Sequence, residues 1–373
     1  MKKINIKTGL LGRGETFKIL AVGHATGYPV LLVGPPGVGK TRVLLDYSMG
    51  LHNNNPVDAL HSTFILETDE GTRPAEIKGR VDMEKLLAPG MDAAGKALIP
   101  KYELNSPISK AKMILINEVD KANPGLRNSM LGVMNEKMLF NGQDKIYCPW
   151  ELFCASCNVI PKEEANNPFW DRFVIKHNVS RLTKTQMLQY YSKGTKAPVE
   201  INLPDQKDIE DFINNQLNPD ILRAFLEVAY DTLSDRSLSY VPRVIAAISY
   251  VFEIAAKKST IKACEVLIGP EKAKALAQKL EPAEISNIRN KIDYINSLQN
   301  YDQILNQIED IKKAAQAAST LESVTKADME DLAKELNKVL AKHPVYNAGN
   351  DNISKAMSDS GTKTNWNAQA VNP

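Results

Sequence analysis

Gly34-Pro35-Pro36-Gly37-Val38-Gly39-Lys40-Thr41 constrains this chain more than any other stretch, because of what flanks it. The apolar run Pro29-Val30-Leu31-Leu32-Val33 precedes it, and Val43, Leu44, Leu45 and Tyr47 follow at helical spacing. A buried strand, a glycine-rich turn and an apolar-faced helix in that order make a P-loop. The backbone N–H groups of such a turn converge, and the helix adds its positive dipole end beneath them, so the fitting ligand is a polyphosphate. In that geometry Lys40 neutralises the β- and γ-phosphates and the Thr41 hydroxyl holds Mg²⁺. The eight residues are therefore read as a nucleoside-triphosphate site and not as a ligand-free turn.

With 373 residues the chain exceeds one average domain, so two domains plus extensions are expected. Hydrophobic residues make up 43% and charged residues 24%, and no apolar run approaches the ~20 residues a membrane span needs. The basic start Met1-Lys2-Lys3-Ile4-Asn5-Ile6-Lys7 lacks the apolar stretch of a signal peptide, so a cytoplasmic protein with no membrane association is expected. The 46 basic and 44 acidic side chains leave a net charge of +2, which gives no general attraction to nucleic acid. Cys154 and Cys157 have C-x-x-C spacing, but Leu152-Phe153-Cys154-Ala155-Ser156-Cys157 reads as a buried strand. Cysteine there acts as a small apolar residue rather than as a zinc or redox pair.

From Met1 to about Val179 short apolar runs alternate with amphipathic stretches, the α/β pattern. Core strands are expected at 30–33, 63–67, 113–117, 151–156 and 173–177. Asn123-Pro124 starts a helix with an apolar face at Leu126, Met130, Val133 and Met134. Asn141-Gly142 between apolar flanks signals a hairpin, with Gln143 and Asp144 making its loop longer than the tightest kind. The stretch 67–104, rich in Gly, Pro and charge, reads as a functional insertion. Residues 183–269 read as an all-α domain. Ile285, Ile288, Ile292 and Ile295, continued by Ile304, Ile308 and Ile311, have coiled-coil spacing. Fewer than four clean heptads favour a helical hairpin packed on the domain or on itself over an oligomerisation stalk. After Tyr346 the composition is that of a disordered tail, with Trp366 as its one candidate anchor.

Met113-Ile114-Leu115-Ile116-Asn117-Glu118 is an apolar strand ending in a polar pair, the form of a second nucleotide motif. Glu118 is the general-base candidate. A carboxylate at a strand end can polarise water for in-line attack on the γ-phosphorus, typically worth ~10²–10⁴-fold. Asn117 stands where such motifs normally carry Asp; its amide oxygen can accept from a metal-bound water but brings no charge. Asn158, just after the Cys157 strand end, can donate to the γ-phosphate or hold the attacking water. Arg172 and Arg243 are the remaining candidate cations.

The order of these motifs resembles the AAA+ ATPases, specifically the MoxR branch and most closely its RavA-type members. The carrying residues are Gly34 to Thr41, Ile116-Asn117-Glu118-Val119-Asp120-Lys121-Ala122, Leu131 to Asn141, Ala155-Ser156-Cys157-Asn158, Asp171-Arg172-Phe173 and Val241-Pro242-Arg243, and the likeness spans about Leu10 to Ile268. It implies a P-loop NTPase core over 1–182, an all-α lid over 183–269, a helical extension over 270–345 and a tail over 346–373. It further implies Lys40 and Thr41 as Walker A, Asn117 and Glu118 as Walker B, Asn158 as sensor 1, Arg172 as a trans-acting arginine finger and Arg243 as sensor 2. ATP and Mg²⁺ as ligands, a hexameric ring, chaperone-like remodelling of protein clients and a von Willebrand factor A (vWA) domain partner are likewise what the resemblance implies. Two other readings stand beside it: a nucleotide-binding switch or scaffold with little hydrolysis because of Asn117, and a nucleic-acid motor, which the near-neutral charge disfavours.

Overall fold

In the computed structural model the described residues are 1–81, 104–141, 144–161, 167–193, 198–319 and 326–343. The loop residues 142–143, most of the 67–104 insertion and the tail with Trp366 lie outside them. Compactness divides the chain after Leu276.

The first unit is built on five parallel strands. In chain order these are β2 (Val30–Val33), β3 (Thr63–Glu67), β6 (Met113–Asn117), β9 (Leu152–Cys157) and β10 (Ile175–Asn178), arranged β10-β2-β9-β6-β3. β2, β6 and β9 occupy the middle, and their continuous apolar runs are buried from both faces, as parallel strands covered by helices require. β2, β3 and β6 have the bounds expected from sequence, whereas β9 and β10 begin one and two residues later than expected.

Register fixes which residues meet. Val30 pairs with both Ile175 and Cys154, and Val33 with Asn178 and Cys157, so the last residues of three adjacent strands lie level. Ile116 pairs with Ala155, which puts Asn117 and Glu118 at the same carboxyl edge. The first residue after β2 is held there too, since the Gly34 N–H donates to the Cys157 carbonyl at 3.1 Å. Cys154 and Cys157, three apart on β9, point to opposite faces and are both buried and free. Burial pushes the Cys157 thiol up to about 12 and the Cys154 thiol up as well, so neither is a thiolate, and no metal-binding group of His, Cys, Asp and Glu is present among the described residues.

Two expectations change. Residues 183–269 are not all helical: Val199–Leu203 form β11, which pairs antiparallel with β1 (Lys2–Ile6) at the chain start. Ile4, Ile6, Ile201 and Leu203 are buried while Asn5, Glu200 and Asn202 face out or half out, the period-two pattern of a half-buried strand. The hairpin is also tighter than expected. β7 (Met138–Asn141) and β8 (Asp144–Tyr147) pair out to Asn141 with Asp144, leaving two residues between them, so Asn141 belongs to the ladder and not to the turn. Within the insertion, β4 (Arg80–Val81) and β5 (Leu104–Asn105) form a short antiparallel pair. No single helix among the described residues is long and apolar enough to cross a membrane.

In the second unit the isoleucine repeat is internal. Ile285, Ile288, Ile292 and Ile295 on helix Ala283–Ile295 meet Ile304, Ile308 and Ile311 on helix Tyr301–Ala318, and Met329, Leu332, Leu336 and Leu340 of helix Lys326–Lys342 close the cluster. The hairpin thus packs on itself and on a third helix that the sequence reading did not single out. Ile292 is fully buried in this core. Ile292→Ala is expected to destabilise the unit by about 2–5 kcal/mol, from lost transfer energy plus the cavity left behind. Urea unfolding followed by circular dichroism checks it.

Candidate nucleotide site

The P-loop side chains meet the strand ends directly. Lys40 opens the helix Lys40–Leu51, preceded by Gly39 at φ 87°, a left-handed conformation that suits glycine. Its buried ammonium donates to the Gly34 carbonyl at 2.5 Å, the Pro35 carbonyl at 3.1 Å and Asn158 Oδ1 at 3.1 Å. Burial lowers its pKa, while the Asp120 and Glu118 carboxylates act in the opposite sense. Thr41 Oγ1 donates to Asn117 Oδ1 at 3.3 Å, and Ser156 Oγ donates to the same oxygen at 3.2 Å. Two hydrogen-bonded pairs, Lys40 with Asn158 and Thr41 with Asn117, drawn from three separate segments, therefore stand side by side at the carboxyl edge, where open parallel sheets bind ligands.

Glu118 follows β6 in a left-handed conformation, φ 54°, and opens a short 3₁₀ turn, Val119–Lys121. The turn is held from both sides. Buried Thr68 donates to the Asn117 and Glu118 carbonyls at 3.0 and 2.7 Å, and Arg127 donates to the Asp120 carbonyl at 2.8 Å while its guanidinium lies over the Phe169 and Trp170 rings. Half-exposed Glu118 is paired with Lys121, Oε2 to Nζ 2.5 Å.

Beside the P-loop opens a cavity of about 510 Å³ lined by Leu10, Leu11, Val38, Leu182 and Met187 along with Arg13 and Arg181. Its size and apolar walls suit a nucleobase, with the phosphates led toward Lys40. Leu10 packs against Gly39, where an added Cβ would lie 3.5 Å from the Leu10 side chain. The wall is anchored through Asp46, which is fully buried: it accepts from Thr8 Oγ1 at 2.6 Å and Arg42 Nε at 2.7 Å, and Thr8 Oγ1 accepts from the Leu10 N–H at 3.0 Å. On the other side Arg13 donates to the Ser180 carbonyl at 2.9 Å. Sequence reasoning missed this pocket. The available signal was Asp46 itself, a charge among Val43, Leu44 and Tyr47 on the buried face of the P-loop helix.

The two candidate arginines lie elsewhere. Arg172 precedes β10 by three residues, and Ile175 pairs with Val30, so Arg172 is at the amino edge of the sheet, opposite the P-loop. It donates to the Pro168 carbonyl at 2.7 Å, and its Nε is buried without a partner. Arg243 lies at the same edge. It donates to Gln206 Oε1 and stands 4.0 Å from the Glu210 carboxylate, and the neighbouring Tyr240 ring packs on Tyr28, 4.3 Å between centroids, just ahead of β2. The length of β2 alone separates the two edges by about 13 Å. The structure does not bring Arg243 to the P-loop as the sensor 2 expectation requires. The cause is the helix Asp235–Phe252: its buried face at Val241, Val244, Ile245 and Ile248 turns Arg243 toward the helix Gln206–Asn215, and its cap Ser234 is tied to Asp171.

A five-stranded parallel sheet ordered β10-β2-β9-β6-β3, carrying a P-loop beside a polar strand end, defines a P-loop nucleotide-binding domain. Residues 2–217 match the MoxR domain of the MoxR–vWA–β-propeller ternary systems, and the chain belongs to this MoxR family of AAA+ proteins. Among curated proteins it is 26% identical over 246 residues to structural protein ORF618 of Acidianus two-tailed virus; the match covers 60% of this chain but only 38% of the viral protein. An uncharacterised protein of Methanocaldococcus jannaschii is 22% identical over 316 residues, covering 77% of this chain and 78% of its own length. A candidate ATPase of Cytophaga hutchinsonii is similar in structure at TM-score 0.48 and 17% identity, over 69% of this chain and 82% of that one.

Asp46→Ala frees Thr8 and Arg42 and releases the Leu10 wall from the helix. About tenfold weaker binding of a fluorescent ATP analogue is expected, in line with losing a hydrogen-bonded buried carboxylate. Titration with and without EDTA should show the same loss in both, because the defect lies at the base and not at the metal.

Proposed function

We propose that this chain is an ATPase that works as a ring of identical subunits, and that its hydrolysis cycle remodels protein clients alongside a vWA-domain partner. The observation that carries this reading is the two adjacent hydrogen-bonded pairs, Lys40 with Asn158 and Thr41 with Asn117, at one sheet edge, with Glu118 on the turn beside them. Glu118 is the base that takes a proton from the attacking water, and Asn158 orients that water or the γ-phosphate. Mg²⁺ fits the oxygen donors present, the Thr41 hydroxyl and the Asn117 amide oxygen, with water and nucleotide oxygens completing its shell. It would offset phosphate charge during transfer. The location of Arg172 at the amino edge supports a role on a neighbouring subunit, since a residue there cannot serve its own P-loop. The family's occurrence in MoxR–vWA–β-propeller systems supports the vWA partner.

A second reading, a nucleotide switch with little turnover, draws on two observations: Asn117 carries no charge, and Lys121 holds Glu118 at 2.5 Å. Steady-state Mg²⁺-ATP hydrolysis separates the two. Turnover by the wild type, abolished by Lys40→Ala and reduced about 10²–10⁴-fold by Glu118→Gln with nucleotide binding retained, is the expected result. A silent wild type that Asn117→Asp awakens supports the switch instead. In the ring reading, Arg172→Ala and Lys40→Ala subunits, each inactive alone, regain activity when mixed; mixed rings that stay inactive contradict a finger in trans.

A further inference from the structure

The Asn117 side chain is 2% exposed, and its Oδ1 accepts from two hydroxyls while its Nδ2 has no partner. A neutral amide at this position leaves the strand end without the charge that a divalent cation needs. Three residues on, Asp120 has the complementary problem. Its Oδ1 is buried without a partner, and its Oδ2 accepts from the Asn158 N–H at 3.3 Å. Arg127 binds the Asp120 backbone carbonyl, not its carboxylate, and Asp120 has no ion-pair partner among the described residues. Asn158 joins Asp120 to the P-loop, since its N–H donates to the Asp120 carboxylate and its side-chain oxygen accepts from Lys40 at 3.1 Å. Asp120, on the 3₁₀ turn, is thus linked to the P-loop lysine through Asn158 and acts on it electrostatically.

Building on the nucleotide-site reading above, we propose that Asp120 supplies the negative charge toward the nucleotide's Mg²⁺ that Asn117 cannot, so that amide and carboxylate have exchanged places across the turn. The Thr41 hydroxyl and the Asn117 amide oxygen then contribute neutral oxygens, and Asp120 contributes the charge through its unpartnered oxygen. The arrangement also accounts for an unpaired carboxylate oxygen being tolerated at this edge, because a bound cation or its water would satisfy it.

The test is the affinity of a fluorescent non-hydrolysable ATP analogue, measured with Mg²⁺ and with EDTA. The wild type is expected to bind at least about tenfold more tightly with Mg²⁺. Asp120→Asn should lose that gain and bind equally or more tightly in EDTA, because a carboxylate facing phosphates with no cation between repels them. That opposite pair of changes is not what a merely structural loss produces. Asn117→Asp placed on top of Asp120→Asn should restore the Mg²⁺ gain. If Asp120→Asn weakens binding in EDTA, Asp120→Ser, which also removes the charge, takes its place and is read in the same way. A full Mg²⁺ gain in Asp120→Asn, no gain in the wild type, or no restoration in the double variant overturns the proposal. A wild type that binds no analogue even in EDTA overturns the nucleotide-site reading itself, and this proposal with it.

Discussion

The hydrogen bond from the Gly34 N–H to the Cys157 carbonyl is the constraint on which the site depends. It extends the β2–β9 ladder one residue beyond the strands, so the P-loop begins at a fixed height against the neighbouring strand end. On the other side of β2, an added Cβ at Gly34 would stand 2.2 Å from the Val179 carbonyl oxygen. The loop therefore leaves the sheet clamped between two strands. Asn158, next after Cys157, is carried to Lys40 by the same register, and Asn117 reaches Thr41 because β6 pairs with β9. A phosphate site made of residues more than a hundred positions apart becomes possible because parallel strands end level.

Legibility in the sequence followed burial. β2, β3 and β6 could be read to the residue because apolar runs ending in Gly or a polar pair leave little room for another register. β11 escaped because Val199-Glu200-Ile201-Asn202-Leu203 is short, alternates with polar residues and stands among helices; its pairing with β1 spans nearly two hundred residues, which no local pattern encodes. The P-loop, Glu118 and Asn158 were visible as motifs on strand ends. The Thr8–Asp46–Arg42 clasp and Thr68 were not, since a buried polar side chain announces itself only through partners distant in sequence. Arg243 shows the limit of a motif read without geometry: Val241-Pro242-Arg243 is present, yet the packing of its helix sends the guanidinium to Gln206.

Polar groups at the two sheet edges are arranged differently. At the amino edge one cluster of charges is paired off: His24 and Lys112 both face Glu151, at 3.5 and 3.0 Å, and hydrogen bonding to His24 first, then to Lys112, holds the Glu151 carboxyl down at about 2. His24 also contacts the buried Tyr47 hydroxyl of the P-loop helix at 3.2 Å. Such saturation locks the helix to the sheet. At the carboxyl edge the same inventory ends in loose valences, Asn117 Nδ2 and Asp120 Oδ1, on side chains otherwise engaged. Buried polar atoms without partners are costly in proteins, and these two beside the P-loop mark where a ligand's atoms can complete the network.

That difference bears on how nucleotide binding reaches the rest of the domain. Lys40 is engaged by two loop carbonyls and by Asn158, so a triphosphate arriving at the P-loop must compete with its own loop and with the end of β9 for its principal cation. The acceptors that Lys40 gives up belong to two elements: Gly34 and Pro35 to the loop after β2, Asn158 to the end of β9. Asn158 is also bonded through its N–H to Asp120, and the turn that bears Asp120 is gripped by Thr68 after β3 and by Arg127 on the helix Pro124–Glu136. Exchanging one lysine's partners therefore perturbs a continuous chain of hydrogen bonds that runs across the carboxyl edge from β2 to β3. The helix at its far end leads directly into the β7–β8 hairpin, whose Phe140 and Tyr147 side chains are exposed. Phosphate chemistry and a solvent-facing apolar surface are thus joined through rigid elements and without a flexible linker.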